Sequence, residues 1–282
     1  MSLTGIAQTN LAMIQNGGYN APSGEWVPLR QLVDAAVSGT ALYRPAELDH
    51  LLDTHRPAAF GGSTRIELTT ESTGEAARRL VEKEGETNVV ALNFASARNP
   101  GGGYIRGAKA QEEDLARCSA LYNCLITQPD YYAENRANPS MLYTEHLIYS
   151  PNVPFFRDDS YELLSKPFVV SMITSPAPNA GEAIVRGERA GILPTLVGRA
   201  RRVLAVAAER KHRVLVLGAW GCGVFRNDPR EVARVFGNAL SSAEFAGVFS
   251  RVVFGIWERN KDRPSLRAFS EELGVVPQPI PA

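Results

Sequence analysis

The chain has no charge imbalance: its 30 Lys and Arg are matched by 30 Asp and Glu. A neutral balance leaves no global field to gather nucleic acid or an anionic membrane, so a polyanionic ligand must be recognised locally. Cysteine is scarce. Cys118, Cys124 and Cys222 are odd in number and lack metal-ligand spacing, which excludes a disulfide framework and fits a reducing compartment, the cytoplasm. The four histidines, His50, His55, His146 and His212, are scattered without an H-E-x-x-H pattern, so no metal centre is expected. No apolar run is long enough to span a bilayer. No Lys or Arg precedes Arg30, so the N-terminus does not read as a signal peptide. A G-x-S-x-G elbow is absent, which disfavours a serine hydrolase, and no glycine loop ends in G-K-[ST], which disfavours a P-loop NTPase.

What is present is an α/β pattern with unusual loops. Residues 1–60 carry short helical patterns at 29–37 and 48–53, broken by Gly and Pro turns, and read as an accessory segment packed on the core. Residues 61–282 read as the main domain. Its polar, β-branched stretch 63–70 predicts a short exposed strand. Ser72 and Glu75 form a capping box that opens a helix running through 76–84. Near-continuous apolar runs at 89–95, 168–173, 214–217 and 252–257 predict strands covered on both faces. Helical patterns fall at 110–126, 196–210, 230–241 and 265–273, the third opened by Asp228 as N-cap and Pro229 at the first helical position. The alternation predicts an α/β/α sandwich with a mixed central sheet, whose ligands bind beyond the carboxyl ends of the strands.

Three Gly- and Pro-rich loops follow predicted strands: 99–107, 174–179 and 217–228. The first holds Gly101, Gly102 and Gly103, then a seven-residue spacer, then Gln111, Glu112 and Glu113 at a helix start. A loop without side chains lets backbone N–H groups approach an anion, and two adjacent carboxylates beside it supply acid/base chemistry. The third loop has Gly218, Gly221 and Gly223 ahead of a capped helix, an arrangement suited to a diphosphate, with Trp220 and Phe225 as flat surfaces for a ribose or base. Taken singly each feature has a plainer explanation. Glycines make tight turns, and acidic residues at a helix start complement its dipole. Cys222 reads as a small residue in a crowded turn.

Taken together, the triple glycine, the spacer and the Gln-Glu-Glu run resemble the signature of the poly(ADP-ribose) glycohydrolases. The segment 218–225 resembles that family's diphosphate loop, about a hundred residues later and in the expected order. The length is similar to the compact bacterial type, and the resemblance covers roughly residues 60–275. It implies a macrodomain fold, hydrolysis of ribose–ribose O-glycosidic bonds, and no cofactor or metal. Its implied partners are poly(ADP-ribose), ADP-ribose and poly-ADP-ribosylated proteins, with no membrane and no sequence-specific nucleic acid. By resemblance Glu113 is the catalytic residue, Glu112 holds the ribose hydroxyls and orients the sugar, and Gln111 supports the pair. Gly102 and Gly103 contact substrate through the backbone, and Asn99 hydrogen-bonds the distal ribose. Gly218 contributes to the diphosphate loop, while Gly221, Cys222, Gly223, Val224 and Phe225 wrap the diphosphate and distal ribose. Ala219 stands where eukaryotic members tend to carry a polar residue.

The chemistry can be reasoned separately. Cleaving a ribosyl bond needs a proton on the leaving oxygen while the sugar becomes oxocarbenium-like. Adjacent Glu112 and Glu113 cannot readily straddle the sugar, so one of them, Glu113, is expected to act first as acid and then as base. A carboxyl in a partly desolvated site beside a second carboxylate has its pKa raised toward neutrality. Two alternatives stay open: a non-catalytic ADP-ribose-binding macrodomain, which would need neither glutamate, and a hydrolase of mono-ADP-ribosyl groups.

Overall fold

The computed structural model describes residues 1–54 and 57–278, so His55 lies outside the described residues. The chain opens with helix α1 (Leu3–Asn16), a small antiparallel pair β1 (Gly18–Asn20) and β2 (Trp26–Pro28), and helix α2 (Arg30–Ser38). Strand β3 (Ala41–Tyr43) and helix α3 (Pro45–Thr54) follow. The segment before residue 60 therefore does more than pack on the core, because β3 joins the central sheet as an edge strand, antiparallel to a later strand.

Strand β4 (Arg65–Thr69) leads into helix α4 (Thr73–Arg78), which continues as a π turn over Arg79–Lys83. The capping box forms as expected: the Ser72 hydroxyl accepts from the Glu75 N–H at 3.0 Å, and the Glu75 carboxylate accepts from the Ser72 N–H at 2.8 Å. Next come β5 (Val89–Phe94), α5 (Gln111–Cys118), α6 (Leu121–Leu125) and α7 (Pro129–Ala137). The single helix expected over 110–126 is broken, because Ser119 adopts an extended conformation and bridges to Phe155.

A long hairpin, β6 (Leu147–Arg157) and β7 (Leu163–Ser175), precedes α8 (Ala180–Val185) and α9 (Arg189–Glu209). Strand β6 has no counterpart in the sequence reading. Pro151 and Pro154 hide it, and a register shift between Ser150 and Val153 accommodates the interruption. Helix α9 starts ahead of the expected residue 196 and carries Pro194 near its beginning, where a missing N–H costs one intrahelical bond. The chain closes with β8 (Val214–Gly218), α10 (Pro229–Ser241), β9 (Arg251–Gly255) and α11 (Pro264–Leu273).

The main sheet has seven strands in the order β3-β6-β7-β5-β8-β9-β4, with β7, β5, β8, β9 and β4 mutually parallel. Alternate residues of one strand feed opposite cores. Val90, Leu92, Leu215, Leu217, Val252 and Phe254 pack beneath α3, α8, α9, α10 and α11. Val89, Ala91, Val214, Val216 and Val253 pack beneath α1, α2, α4, α5, α6 and α7. This is the three-layer sandwich with a mixed sheet that the alternation implied. The edge strand β4 was expected to be exposed. Its last three residues, Glu67, Leu68 and Thr69, are buried where helices cover them.

Candidate active site

Four adjacent parallel strands, β5, β8, β9 and β4, end on the same side, and their following loops enclose a cavity of about 800 Å³. The sheet splits there. Strands β5 and β8 pair only as far as Ala91 and Val216, whereas β8 and β9 stay paired to Gly218 and Gly255. The gap is closed by a side chain acting like a strand: Gln111 Oε1 accepts from the Phe94 N–H at 2.8 Å, and its Nε2 donates to the Leu92 carbonyl at 2.8 Å. Nε2 also donates to Thr73 Oγ1 at 3.1 Å, tying the starts of α5 and α4 together. The Gln111 amide is thus committed to the scaffold beneath the glutamates, which suits a supporting role and leaves it no free donor for a ligand.

Gln111 fixes the first turn of α5, and the two glutamates that follow diverge in their surroundings. Glu112 is 3% exposed; its Oε2 accepts from the Ser96 N–H at 2.7 Å and its Oε1 from Asn93 Nδ2 at 3.2 Å. Burial pushes its pKa up to about 8, against the opposing pull of the Ser96 and Asn93 donors, with the charge of Glu113 adding to the rise. Glu113 lines the cavity with Oε1 held by the Gly103 N–H at 2.8 Å, and no protein donor reaches its Oε2 among the described residues. Both carboxylates converge on Gly102. A Cβ there would stand 2.3 Å from Glu113 Oε1 and 3.1 Å from Glu112 Oε2, and the φ of +60° already favours glycine. Asn99 lies on the cavity lip, exposed, and its side chain has no protein hydrogen-bond partner among the described residues.

The third loop forms the middle of the wall with Ala219, Gly221, Cys222, Gly223, Val224 and Phe225. The amides of Gly223, Val224 and Phe225 donate to no protein acceptor among the described residues, so three successive N–H groups remain for an anion. Gly221, at φ +71°, is wedged so tightly that a Cβ would meet Ala177 at 2.4 Å and Asn227 Nδ2 at 2.5 Å. Burial raises the Cys222 thiol pKa well above its ordinary range, which fits a packing residue and not a nucleophile.

Three expectations need correction. Gly218 does not line the cavity: it is the last paired residue of β8, and a Cβ would stand 2.6 Å from the Gly255 carbonyl. Trp220 offers no surface to a ligand, being fully buried against Phe236 with its Nε1 donating to the Ser175 carbonyl at 3.0 Å. The loop 174–179 does not line the cavity but supports the third loop, with the Pro178 carbonyl accepting from Asn227 Nδ2 at 2.9 Å. Of the two aromatics of the third loop, Phe225 is the one that reaches the cavity, with Tyr143 beside it at 5.9 Å between ring centroids.

The far end of the cavity escaped the sequence reading. Trp257, Glu258 and Arg259 line it beyond β9, and Ser72 to Glu75 beyond β4. The apolar run at 252–257 predicts a strand to its end, but β9 stops at Gly255, and Trp257 projects 55% exposed. A Trp-Glu-Arg run at the carboxyl end of a buried strand was the available signal. Asn93 and Ser96, which position Glu112, carried none.

A model of the microbial-type catalytic domain of poly(ADP-ribose) glycohydrolase matches residues 7–158. Among solved structures, the poly(ADP-ribose) glycohydrolase of Thermomonospora curvata is 47% identical, with 96% of this chain and 98% of that chain covered at a TM-score of 0.92. The same protein bound to the inhibitor ADP-HPD matches at 47% identity, covering 95% and 98%, with a TM-score of 0.89. The Deinococcus radiodurans glycohydrolase in complex with ADP-ribose is 49% identical, with 88% of this chain and 98% of that chain covered and a TM-score of 0.81. Among curated proteins no sequence matches.

Proposed function

The chain belongs to the microbial-type poly(ADP-ribose) glycohydrolases, and we propose that Glu113 is the group that moves the proton in its reaction. It is a glycosidase with a macrodomain-like fold that hydrolyses the ribose–ribose bonds of poly(ADP-ribose) and releases ADP-ribose. The observation that carries the assignment of roles is the contrast at the start of α5. One Glu113 oxygen is anchored by the Gly103 N–H while the other faces the cavity with no protein partner among the described residues, and Glu112 is buried and held from two sides.

The strand order supports one direction for the ligand. The glutamates stand at the β5 end and the free amides of Gly223, Val224 and Phe225 stand over β8, so the scissile ribose lies beside Glu113 and the diphosphate on the third loop. Glu113 protonates the leaving oxygen as the C1–O bond breaks, and the sugar carries the positive charge. The Glu113 carboxylate then takes a proton from the water that attacks C1, which regenerates the acid. The diphosphate, held close by the two loops, stabilises the cation. Glu112, neutral below about pH 8, donates to a ribose hydroxyl and orients the ring. Asn99 and the backbone of Gly102 and Gly103 contact the same sugar, and Phe225 packs against the distal ribose.

In the cell the reading is reversal of poly-ADP-ribosylation on modified proteins in the cytoplasm, the chemistry a DNA-damage response requires. Incubation with defined poly(ADP-ribose) and, separately, with singly ADP-ribosylated protein tests it. Free ADP-ribose should accumulate from polymer. Release only from the singly modified protein would point to a mono-ADP-ribosyl hydrolase, and binding without release to a reader.

A further inference from the structure

The catalytic loop does not hold its shape unaided. Its outer half, just after Gly103, rests on α1, far from it in sequence, with the buried Asn10 as a central link. Asn10 is 1% exposed, and its Nδ2 donates to the Arg117 carbonyl at 2.7 Å and to the Tyr104 hydroxyl at 3.3 Å. Its Oδ1 accepts from Arg157 Nε at 2.8 Å. Both donors and the acceptor of one amide are thus used inside the protein. They join the residue directly after Gly103 to the last turn of the helix that carries Glu113. Tyr104 is buried between Ala7 and Ala116, with the ring of Tyr122 at 5.2 Å, and its hydroxyl donates onward to the Ala7 carbonyl. Arg117, fully buried, closes the circuit by donating to the Ala108 carbonyl of the same loop.

We propose that Asn10 is a positioning residue for the hydrolysis: by fixing Tyr104 and the end of α5 together, it sets the Gly103 N–H against Glu113 and so aims the free Glu113 oxygen. This rests on the glycosidase reading above. None of the residues that Asn10 touches belongs to the third loop, so the diphosphate amides stay where they are when Asn10 is lost. Catalysis and ligand affinity should therefore separate. A displacement of about an ångström at a catalytic group can cost ~10²-fold in rate, whereas ADP-ribose binding draws mainly on contacts elsewhere.

The test uses Asn10→Asp and Tyr104→Phe in the full chain. Asn10→Asp preserves shape and the acceptor for Arg157, while turning the donor to Arg117 and Tyr104 into an acceptor. Tyr104→Phe removes only the hydroxyl and keeps the ring in its pocket, so a folded variant is available even if Asn10→Asp fails to fold. For each folded variant, kcat on poly(ADP-ribose) should fall ~10–100-fold while KM and the calorimetric Kd for ADP-ribose stay at the wild-type value. Near-wild-type kcat in the folded variants would overturn the proposal, as would parallel loss of kcat and ADP-ribose affinity. A wild type that leaves polymer intact would overturn the glycosidase reading, and this proposal with it. An active wild type matched by its variants would overturn this proposal alone.

Discussion

Glu112 and Glu113 are the same side chain one residue apart, and their surroundings give them different work. Glu112 sits beneath the loop between two donors from β5 and its exit, with its pKa pushed up to about 8 by burial. A raised carboxyl is neutral below that value and becomes charged above it, so polymer cleavage should decline above about pH 8. Glu112→Gln, fixed in the neutral form, should flatten that alkaline limb in a pH–rate profile; an unchanged limb would remove Glu112 as its source. The sign for stability follows from linkage, because the contribution of a group with a raised pKa is complete below the unfolded value and lost as pH rises through the folded one. Denaturant unfolding should accordingly show the advantage of Glu112→Gln over wild type growing from pH 5 to pH 9. At Gly102 a methyl group would collide with the Glu113 carboxylate in a left-handed backbone, so Gly102→Ala should lower kcat by ~10²-fold and also lower Tm by a few °C. These residues were legible because Gly-Gly-Gly and Gln-Glu-Glu are local patterns. Trp220 was misread because sequence alone does not say which of two nearby aromatics turns inward, and β8 turns Trp220 toward Phe236.

Elements follow the same logic. The cap at Ser72, the Asp228-Pro229 start of α10 and the buried strands β5, β8 and β9 were readable because their signals are short-range. Strand β6 was not readable. Its pairing with β3 is non-local, and two prolines interrupt the pattern that would announce it. The loop at 174–179 shows the same limit, since a Gly/Pro-rich segment looks alike whether it faces a ligand or props up the loop that does. That prop is testable. Gly221 has no room for a side chain between Ala177 and Asn227, so Gly221→Ala should displace the free amides of the third loop. ADP-ribose affinity measured by calorimetry should weaken by at least ~10-fold, a loss of about 1.4 kcal/mol. Binding at wild-type strength would argue against a diphosphate seat on that loop.

At the scale of the whole molecule, the open end of the sheet depends on a closed one. Where β4 and β9 begin, Arg251 makes a two-pronged contact with Glu67 at 2.7 and 3.0 Å and also reaches Glu84 and Glu86. Arg79 grips Glu71 at 2.7 and 2.8 Å and reaches Glu84 from the other side. The hydrogen bond from Arg251 is the main force holding the Glu84 pKa below its ordinary value, with Arg79 assisting. That stabilisation is present above the unfolded carboxylate pKa and lost as pH falls through the folded one. Removing one member of a buried ionic group costs about 3–5 kcal/mol. Arg251→Met should therefore lower Tm by on the order of 10 °C at pH 7, with the gap narrowing in acid; an unchanged Tm would show that the network is dispensable. No pattern in the sequence announced this network, because its members are drawn together only by the fold.

The central claim is that binding and bond cleavage divide between the third loop and Glu113. Glu113→Gln keeps the shape and the acceptor for the Gly103 N–H but removes the ionisable carboxyl. Turnover of poly(ADP-ribose) should drop by ~10²–10⁴-fold, with the Kd for ADP-ribose, measured on the same preparation, left at the wild-type value. Polymer cleavage by Glu113→Gln at the wild-type rate would contradict the account.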